Sequence, residues 1–315
     1  MQNKAPLVVV LGTGGTIAGI AASASDNVGY SAAQLGAAQV VQSVPALAGM
    51  PIEVEQIAQL DSKDMGFETW RALAVAVDRH LARPEVGGVV ITHGTDTLEE
   101  TAYFLQRLLA PLKPVVLVAA MRPATSLQSD GPQNLLDAMV VAHAPGARGV
   151  VAVLAGAVHS ALDVRKVHTY RLDAFGSGDA GVLGHIKEGR LRRHRAWPAG
   201  EAIGLSRLPR DGTPWPVVEI VTSHSEARGS LVRAMHDAGV DGIVVAATGN
   251  GSVHHALEAA LIEARATGME VLRATRCLGG SVIDANAPAL PSAGALTPVQ
   301  ARIELVLQLF SRGAA

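Results

Sequence analysis

Residues 7–19 read LVVVLGTGGTIAG, and the rest of the chain is organised around them. The apolar run from Leu7 to Leu11, with Val8, Val9 and Val10 at its centre, has the pattern of a parallel strand covered on both faces. The pattern stops at Gly12, Gly14 and Gly15, residues that permit backbone angles and close approaches a Cβ would forbid. Thr13 and Thr16 sit inside that glycine frame. A hydroxyl on a tight loop at a strand's C-terminal end lies where open α/β sheets bind ligands. Gly12-Thr13-Gly14 opens like a dinucleotide fingerprint, but Ile17 stands where the third glycine belongs. Asp26 comes too early, and Glu53 and Glu55 too late, for a ribose carboxylate. No Gly-Lys-Ser/Thr follows, which excludes a Walker loop. Two readings remain: a threonine nucleophile, or a turn whose hydroxyls cap backbone groups. The loop alone favours the turn.

A chain of 315 residues is one large domain or two ordinary ones, and at 49% hydrophobic it can bury a substantial core. The formal net charge of −2 and the lack of a basic block argue against nucleic acid as a partner. With Cys277 as the one cysteine, no intrachain disulfide can form, which fits a reducing compartment. Lys4 precedes an apolar run too short for a secretory signal. The longest apolar run, residues 115–121, is far too short to span a membrane. The expectation is a soluble cytoplasmic protein with no membrane partner, or a periplasmic one had a leader been removed.

Strand-like runs alternate with helical patterns. Ser31 is positioned to cap a helix reaching Ser43, closed by Pro45. A strand is expected over 52–57, a helix over 67–82 stopped by Pro84, a strand over 89–92 and a helix over 98–109. Thr97 and Glu100 have the spacing of a capping box at that helix's start. Strands over 115–119 and 150–154 flank a helix over 134–143. This βαβ rhythm predicts a mostly parallel sheet with helices on both faces. Periodicity fails over 175–189, and residues 207–216, RLPRDGTPWP, read as a linker. Beyond it the rhythm resumes: strands over 217–221, 243–247 and 271–274, and helices over 231–238 and 253–266. A last helix has Thr297 as N-cap and Pro298 at its first position, with an apolar stripe read as core. The fold class is therefore α/β in two domains: a larger N-terminal domain over 1–206 with a parallel-type sheet flanked by helices, the linker 207–216, and a smaller α/β domain over 217–315.

The second informative stretch is Ile91-Thr92-His93-Gly94-Thr95-Asp96-Thr97-Leu98-Glu99-Glu100. Again a buried strand runs into a glycine-bearing turn with hydroxyls, now beside a carboxylate at the mouth of a helix, where the dipole favours an anion. Asp96 alone would read as an N-cap. Two loops of one construction, both following apolar strands, converge at one sheet edge and make a shared site the better reading. None of the 11 histidines has zinc-ligand spacing with a third partner, so no metal is expected. His93 reads as structural, and the adjacent His254 and His255 are expected to point apart on a helix.

Thr13-Gly14-Gly15-Thr16-Ile17-Ala18-Gly19 and Thr92-His93-Gly94-Thr95-Asp96-Thr97 resemble the signatures of bacterial-type L-asparaginases. The likeness continues through Ala120-Met121-Arg122-Pro123, Ser129-Asp130-Gly131-Pro132 with Asn134, and Gly249-Asn250-Gly251, covering nearly the whole chain. The resemblance implies hydrolysis of the side-chain amide of L-asparagine, and often glutamine, to the acid and ammonia without a metal or cofactor. It also implies a homotetramer of paired intimate dimers, each active site completed by the neighbouring subunit's C-terminal domain.

Residue by residue, the resemblance makes Thr16 the nucleophile and Tyr30 its hydrogen-bond partner, on a segment rich in Ala, Ser and Gly that reads as a lid. It makes Thr95, Asp96 and Lys166 an activating hydroxyl–carboxylate–amine group, with Asp96 also facing the substrate's α-ammonium. A buried lysine can lose its charge and act as a base. Gly15, Asp61, Asn250 and Ser252 fall among the substrate-binding positions. Ser62 is assigned the α-carboxylate and the Ala120 carbonyl the scissile amide's N–H, while the Thr95 loop could offer a backbone N–H to the developing oxyanion. Two departures stand out. Lys63 replaces a neutral polar residue after Ser62, a cation beside the amine site unless its stem bends into water. The stretch that should bring a glutamate from the neighbouring subunit offers Asp284, Asn286 and Ala287, with Ala287 in strict register, so that contact is either lost or taken by Asn286. Two alternatives are a glutamine-deamidating subunit of a tRNA amidotransferase, disfavoured because the catalytic strand begins at Leu7 with no domain before it, and a non-catalytic amino-acid sensor.

Overall fold

The computed structural model describes residues 5–209, 212–284 and 288–313. They form two compact units that divide between residues 205 and 206.

The first unit begins with β1 (Leu7–Gly14), followed by the short β2 (Ile20–Ala21) and β3 (Tyr30–Ser31), α1 (Ala37–Gln42), β4 (Ile52–Leu60), α2 (Phe67–Leu81) and β5 (Val86–Thr92). Then come α3 (Leu98–Leu109), β6 (Pro114–Val118), α4 (Gly131–Ala142), β7 (Gly149–Leu154) and β8 (Ala157–Ser160). It closes with β9 (Arg165–Lys166), β10 (Phe175–Gly176), β11 (Gly184–Lys187) and β12 (Arg190–Arg193). Eight strands make one sheet in the order β12-β11-β8-β7-β6-β5-β1-β4. From β4 to β7 the pairings are parallel. The expected parallel sheet is thus extended: β8, β11 and β12 add to one edge as antiparallel strands, making it mixed.

Val8, Val9, Val10 and Leu11 are all fully buried, as a β-branched central strand covered on both faces must be. Val8, Val10, Val90, Val116 and Val118 pack with Leu135, Ala138 and Met139 of α4. The alternate residues Val9, Leu11, Val89 and Ile91 are buried too, and α2 and α3 lie against the strands. The α2 stripe Trp70, Leu73, Ala74 and Val77 has helical spacing and is buried, and Trp70 stacks on Phe104 of α3 at 5.2 Å.

Three local expectations are corrected. Ser31 does not cap a helix; it pairs with Ile20 in a two-stranded ribbon, and α1 starts six residues later, where the Gln39 side chain accepts the Gly36 N–H. Thr97 does not close a capping box with Glu100, because its hydroxyl donates across the fold to the Ser62 carbonyl at 2.8 Å. The 175–189 stretch, where periodicity fails, contributes β10 and β11. His254 stands before its helix, its ring 4.4 Å from that of His255 rather than pointing apart.

In the second unit β13 (Val218–Thr222), β14 (Gly242–Ala247) and β15 (Glu270–Thr275) form a parallel sheet. It is covered by α5 (Ser230–Asp237), α6 (His255–Ala266) and α7 (Pro298–Gly313). Thr297 and Gln300 form a reciprocal capping pair at the start of α7, each side chain bonding the other's backbone N–H at 3.2 Å. Ile303, Leu305, Val306 and Leu307 are the apolar stripe of α7 and are buried. No helix among the described residues is long and apolar enough to cross a membrane.

Candidate active site

Four neighbouring parallel strands end at one edge of the large sheet. Gly12 of β1 lies opposite Thr92 of β5, Gly14 opposite Leu60 of β4, and Thr92 opposite Val118 of β6. The chain leaves β1 for β4 on one side and β5 for β6 on the other, so the crevice between the β1 and β5 loops is a topological switch point.

The loops after β1 and β5 meet backbone to backbone. Gly15 has φ +80°, and a Cβ there would lie 2.3 Å from the Gly94 Cα and 2.4 Å from its nitrogen. A Cβ on Gly94 would fall 2.4 Å from Ser62 Oγ. Three turns therefore converge on two glycines that admit no side chain. Further bonds lock them: Gly15 N–H donates to the Leu60 carbonyl at 3.0 Å, Thr13 Oγ1 to the Thr92 carbonyl at 3.0 Å, and Asp96 N–H to Ser62 Oγ at 3.2 Å.

Thr16 opens a single 3₁₀ turn and is 6% exposed. Its Oγ1 is 2.7 Å from the Tyr30 hydroxyl. The segment carrying Tyr30 is moored at its tip: Thr125 Oγ1 accepts the Ala21 N–H at 2.9 Å, and Ser126 Oγ donates to Asn27 Oδ1 at 2.6 Å. On the other loop, Lys166 Nζ donates to Thr95 Oγ1 at 2.9 Å and to Asp96 Oδ1 at 2.6 Å. Thr95 is buried, while Asp96 and Lys166 border an open recess of about 600 Å³.

Below this layer lies a polar relay. His93 is fully buried. Trp70 Nε1 donates to Thr101 Oγ1 at 2.7 Å, and Thr101 is 2.9 Å from His93 Nε2. His93 Nδ1 is 2.7 Å from the Gly94 carbonyl. A carbonyl only accepts, so Nδ1 carries the ring proton and Thr101 donates to Nε2. Burial holds the His93 pKa down to about 4, against the pull of the Gly94 bond. His93 is thus a neutral brace for the Gly94 turn, as the sequence reading had it.

Ala120 is fully buried on the turn after β6. Asp130 and Asn134 hold that turn: Asp130 accepts the Met121 and Arg122 N–H groups at 3.0 and 2.9 Å, and Asn134 Nδ2 donates to the Ala119 carbonyl at 2.9 Å. Sequence reasoning quoted these two residues in a motif but gave them no task. Asp130 precedes α4 and reads locally as its cap, whereas its side chain makes no cap bond.

Asp61 turns to its own neighbour, accepting from Lys63 Nζ at 2.7 Å. The exposed Lys63 also lies 3.5 Å from Asp64, so its charge is matched by two carboxylates. Asn250 and Ser252 belong to the second unit. Asn250 braces the turn at Ile283 through two bonds, donating to its carbonyl at 2.9 Å and accepting its N–H at 2.8 Å. Ser252 bonds Thr248 main chain to main chain, and Asp284 pairs with Arg273. Asn286 and Ala287 lie outside the described residues. Among the described residues no group of three or more His, Cys, Asp or Glu could hold a metal.

Residues 7–198 match the family profile described as asparaginase, N-terminal, and residues 217–313 the glutaminase/asparaginase C-terminal domain. The chain belongs to the asparaginase/glutaminase family. Among its relatives is L-asparaginase 2 of Escherichia coli, 36% identical, the match covering 96% of this chain and 89% of that one. Another is a glutaminase-asparaginase of Pseudomonas fluorescens, 36% identical over 91% of this chain and 80% of its own. The crystal structure of a probable cytoplasmic L-asparaginase from Campylobacter jejuni superposes with a TM-score of 0.91 at 37% identity, covering 96% and 95% of the two chains. As an asparaginase-family member the protein is an amidohydrolase, and its two-domain α/β architecture is that of the family.

The glycine contact gives a sharp expectation. Gly15→Ala forces a Cβ into the Gly94 backbone at a left-handed φ, whereas Gly49→Ala at φ +83° meets nothing within 4 Å. Gly49→Ala is expected to lower stability by only about 1–2 kcal/mol, the strain of that φ. Gly15→Ala is expected to destabilise well beyond that, with loss of amidase activity. Denaturant midpoints of the two variants compare them, and equal midpoints would refute the close contact.

Proposed function

We propose that the protein is an L-asparaginase that works through an acyl-threonine intermediate on Thr16. The observation that carries this reading is the meeting of the two strand-end loops at Gly15 and Gly94. Of these loops, one bears a hydroxyl bonded to a phenol, and the other a hydroxyl and a carboxylate bonded to one amine. An aliphatic hydroxyl attacks an amide at neutral pH only when its proton is taken as it moves. Tyr30 is the group in contact with Thr16 Oγ1 and acts as a relay: its oxygen takes the Thr16 proton as the O–C bond forms while its own phenolic proton passes to the amide nitrogen. The carbon–nitrogen bond then breaks, and ammonia leaves with that proton. The Thr95–Asp96–Lys166 group then activates water for the second step: the water oxygen bonds the ester carbon, its proton returns through Tyr30 to Thr16 Oγ1 as the ester C–O bond breaks, and aspartate is released.

Substrate binding follows from the same loops. Ser62 Oγ accepts the Asp96 N–H, which leaves its own proton to donate to the α-carboxylate. Asp96 faces the α-ammonium, and the pairing of Lys63 with Asp61 and Asp64 removes the repulsion a bare cation would exert there. In this reading the Ala120 carbonyl takes the amide N–H, and Gly15 leaves room for the substrate backbone. Asn250, Ser252 and Asn286 act from the neighbouring subunit of a homotetramer. Cytoplasmic residence and a minor glutaminase activity complete the proposal.

Thr16→Ala is expected to lower ammonia release from asparagine at least about a thousandfold, the scale set by losing a nucleophile, with an unchanged melting temperature. Turnover retained by a folded Thr16→Ala would overturn the nucleophile assignment, and no ammonia release from the wild-type protein would favour the sensor alternative. Sedimentation is expected to show a tetramer, and a stable active monomer would contradict the shared site.

A further inference from the structure

Lys166 lies on β9, where it stands opposite Phe175 of β10 in an antiparallel pair. Hydrogen-bonded and non-bonded positions alternate along such a pair. Val167 N–H donates to the Ala174 carbonyl at 2.7 Å. Lys166–Phe175 is therefore the adjoining non-bonded position, and the Lys166 N–H points away from β10. It finds its acceptor in the first turn of α3, in the carboxylate of Glu99. One short segment thus grips Lys166 twice: Thr95 and Asp96 hold its side-chain nitrogen, and Glu99 holds its main chain.

We propose that Glu99 is a positioning residue for the reaction: by accepting the Lys166 main-chain N–H it fixes β9 against the start of α3 and so sets the reach of Lys166 Nζ to Thr95 and Asp96. This deepens the reading given under Proposed function and rests on the role of Lys166 in it. The lysine side chain is long and flexible, and an ion pair to the half-exposed Asp96 holds it only weakly. A fixed main chain is what turns that pair into a defined geometry.

Titration gives the proposal a readout. Burial raises the Glu99 carboxyl from its ordinary 4.5 to about 7. The charges facing it are Glu100 on its own helix, which adds to the rise, and Arg165 and Lys166 on β9, which oppose it along with the Lys166 N–H bond. Above pH 7 the acceptor is an anion; below it, a neutral acid that accepts less strongly. Turnover is therefore expected to fall on the acid side with a midpoint near 7. The folded state binds more protons than the unfolded one between 4.5 and 7, so this group favours folding as the pH drops through that window. The fall in activity is then separable from loss of fold.

The test measures kcat and KM for asparagine against pH, with melting temperatures, for the wild type, Glu99→Gln, Glu99→Asp and Thr16→Ala. Glu99→Gln keeps an oxygen acceptor but neither the charge nor the titration. It is expected to fold, to lose about tenfold in kcat, the worth of one charge-assisted hydrogen bond, to keep KM within about twofold, and to lose the acid limb. Wild-type kcat, or a persisting limb near pH 7 in folded Glu99→Gln, overturns the proposal. If that variant does not fold, Glu99→Asp decides: its shorter reach is expected to lower kcat while the limb remains, and full kcat overturns the proposal. Turnover by Thr16→Ala would strike the reading of the site, whereas its loss beside an unchanged Glu99→Gln would strike this inference alone.

Discussion

The contact between the Gly15 and Gly94 backbones is the constraint on which the site depends. Adjacent parallel strands run about 4.8 Å apart, and loops that leave them ordinarily splay to make room for side chains. Here both turns omit the Cβ, and the β1 loop takes a positive φ, so the two can touch. Thr16 and Thr95 each follow one of these glycines, and their positions are inherited from the register of β1 on β5 rather than from loop conformation. A site built on strand ends in this way is held more rigidly than one built on free loops.

Rigidity of the contact requires that the buried polar groups beneath it be satisfied, since an unpaired one would cost about 1–3 kcal/mol. The Trp70–Thr101–His93–Gly94 chain meets that requirement with one donor for each acceptor, and a neutral imidazole suits a core where a charge would be unstable. Asp130 and Asn134 do the same for the turn after β6. The residues around the candidate cavity thus divide into those that face it and those that fix the loops from below.

Much of this was legible in the sequence, and the pattern of failures is physical. Strands buried on both faces and helices with a clear apolar stripe declare themselves locally, as β1, α2 and α3 do. The antiparallel strands β8, β11 and β12 do not, because they are four residues long and interrupt their few apolar positions with His, Lys or Arg. Local capping rules misassigned Thr97 because its hydroxyl has a partner on a distant loop that no sequence window contains. Lys166 has nothing in its own neighbourhood to mark it, and only the resemblance put it in the site. Its bonds to Thr95 and Asp96 cross 71 and 70 residues of sequence. Glu99 was passed over as one of two acidic residues in a helix's first turn, where the dipole alone accounts for them.

The most direct measurement is a crystal structure of this protein with aspartate, the expected product, bound. The account predicts one aspartate in the crevice between the β1 and β5 loops, its α-carboxylate on Ser62, its amine on Asp96 and its side-chain carboxyl carbon about 3–3.5 Å from Thr16 Oγ1. An aspartate seated elsewhere, or one in the crevice that Thr16 cannot reach, would contradict it.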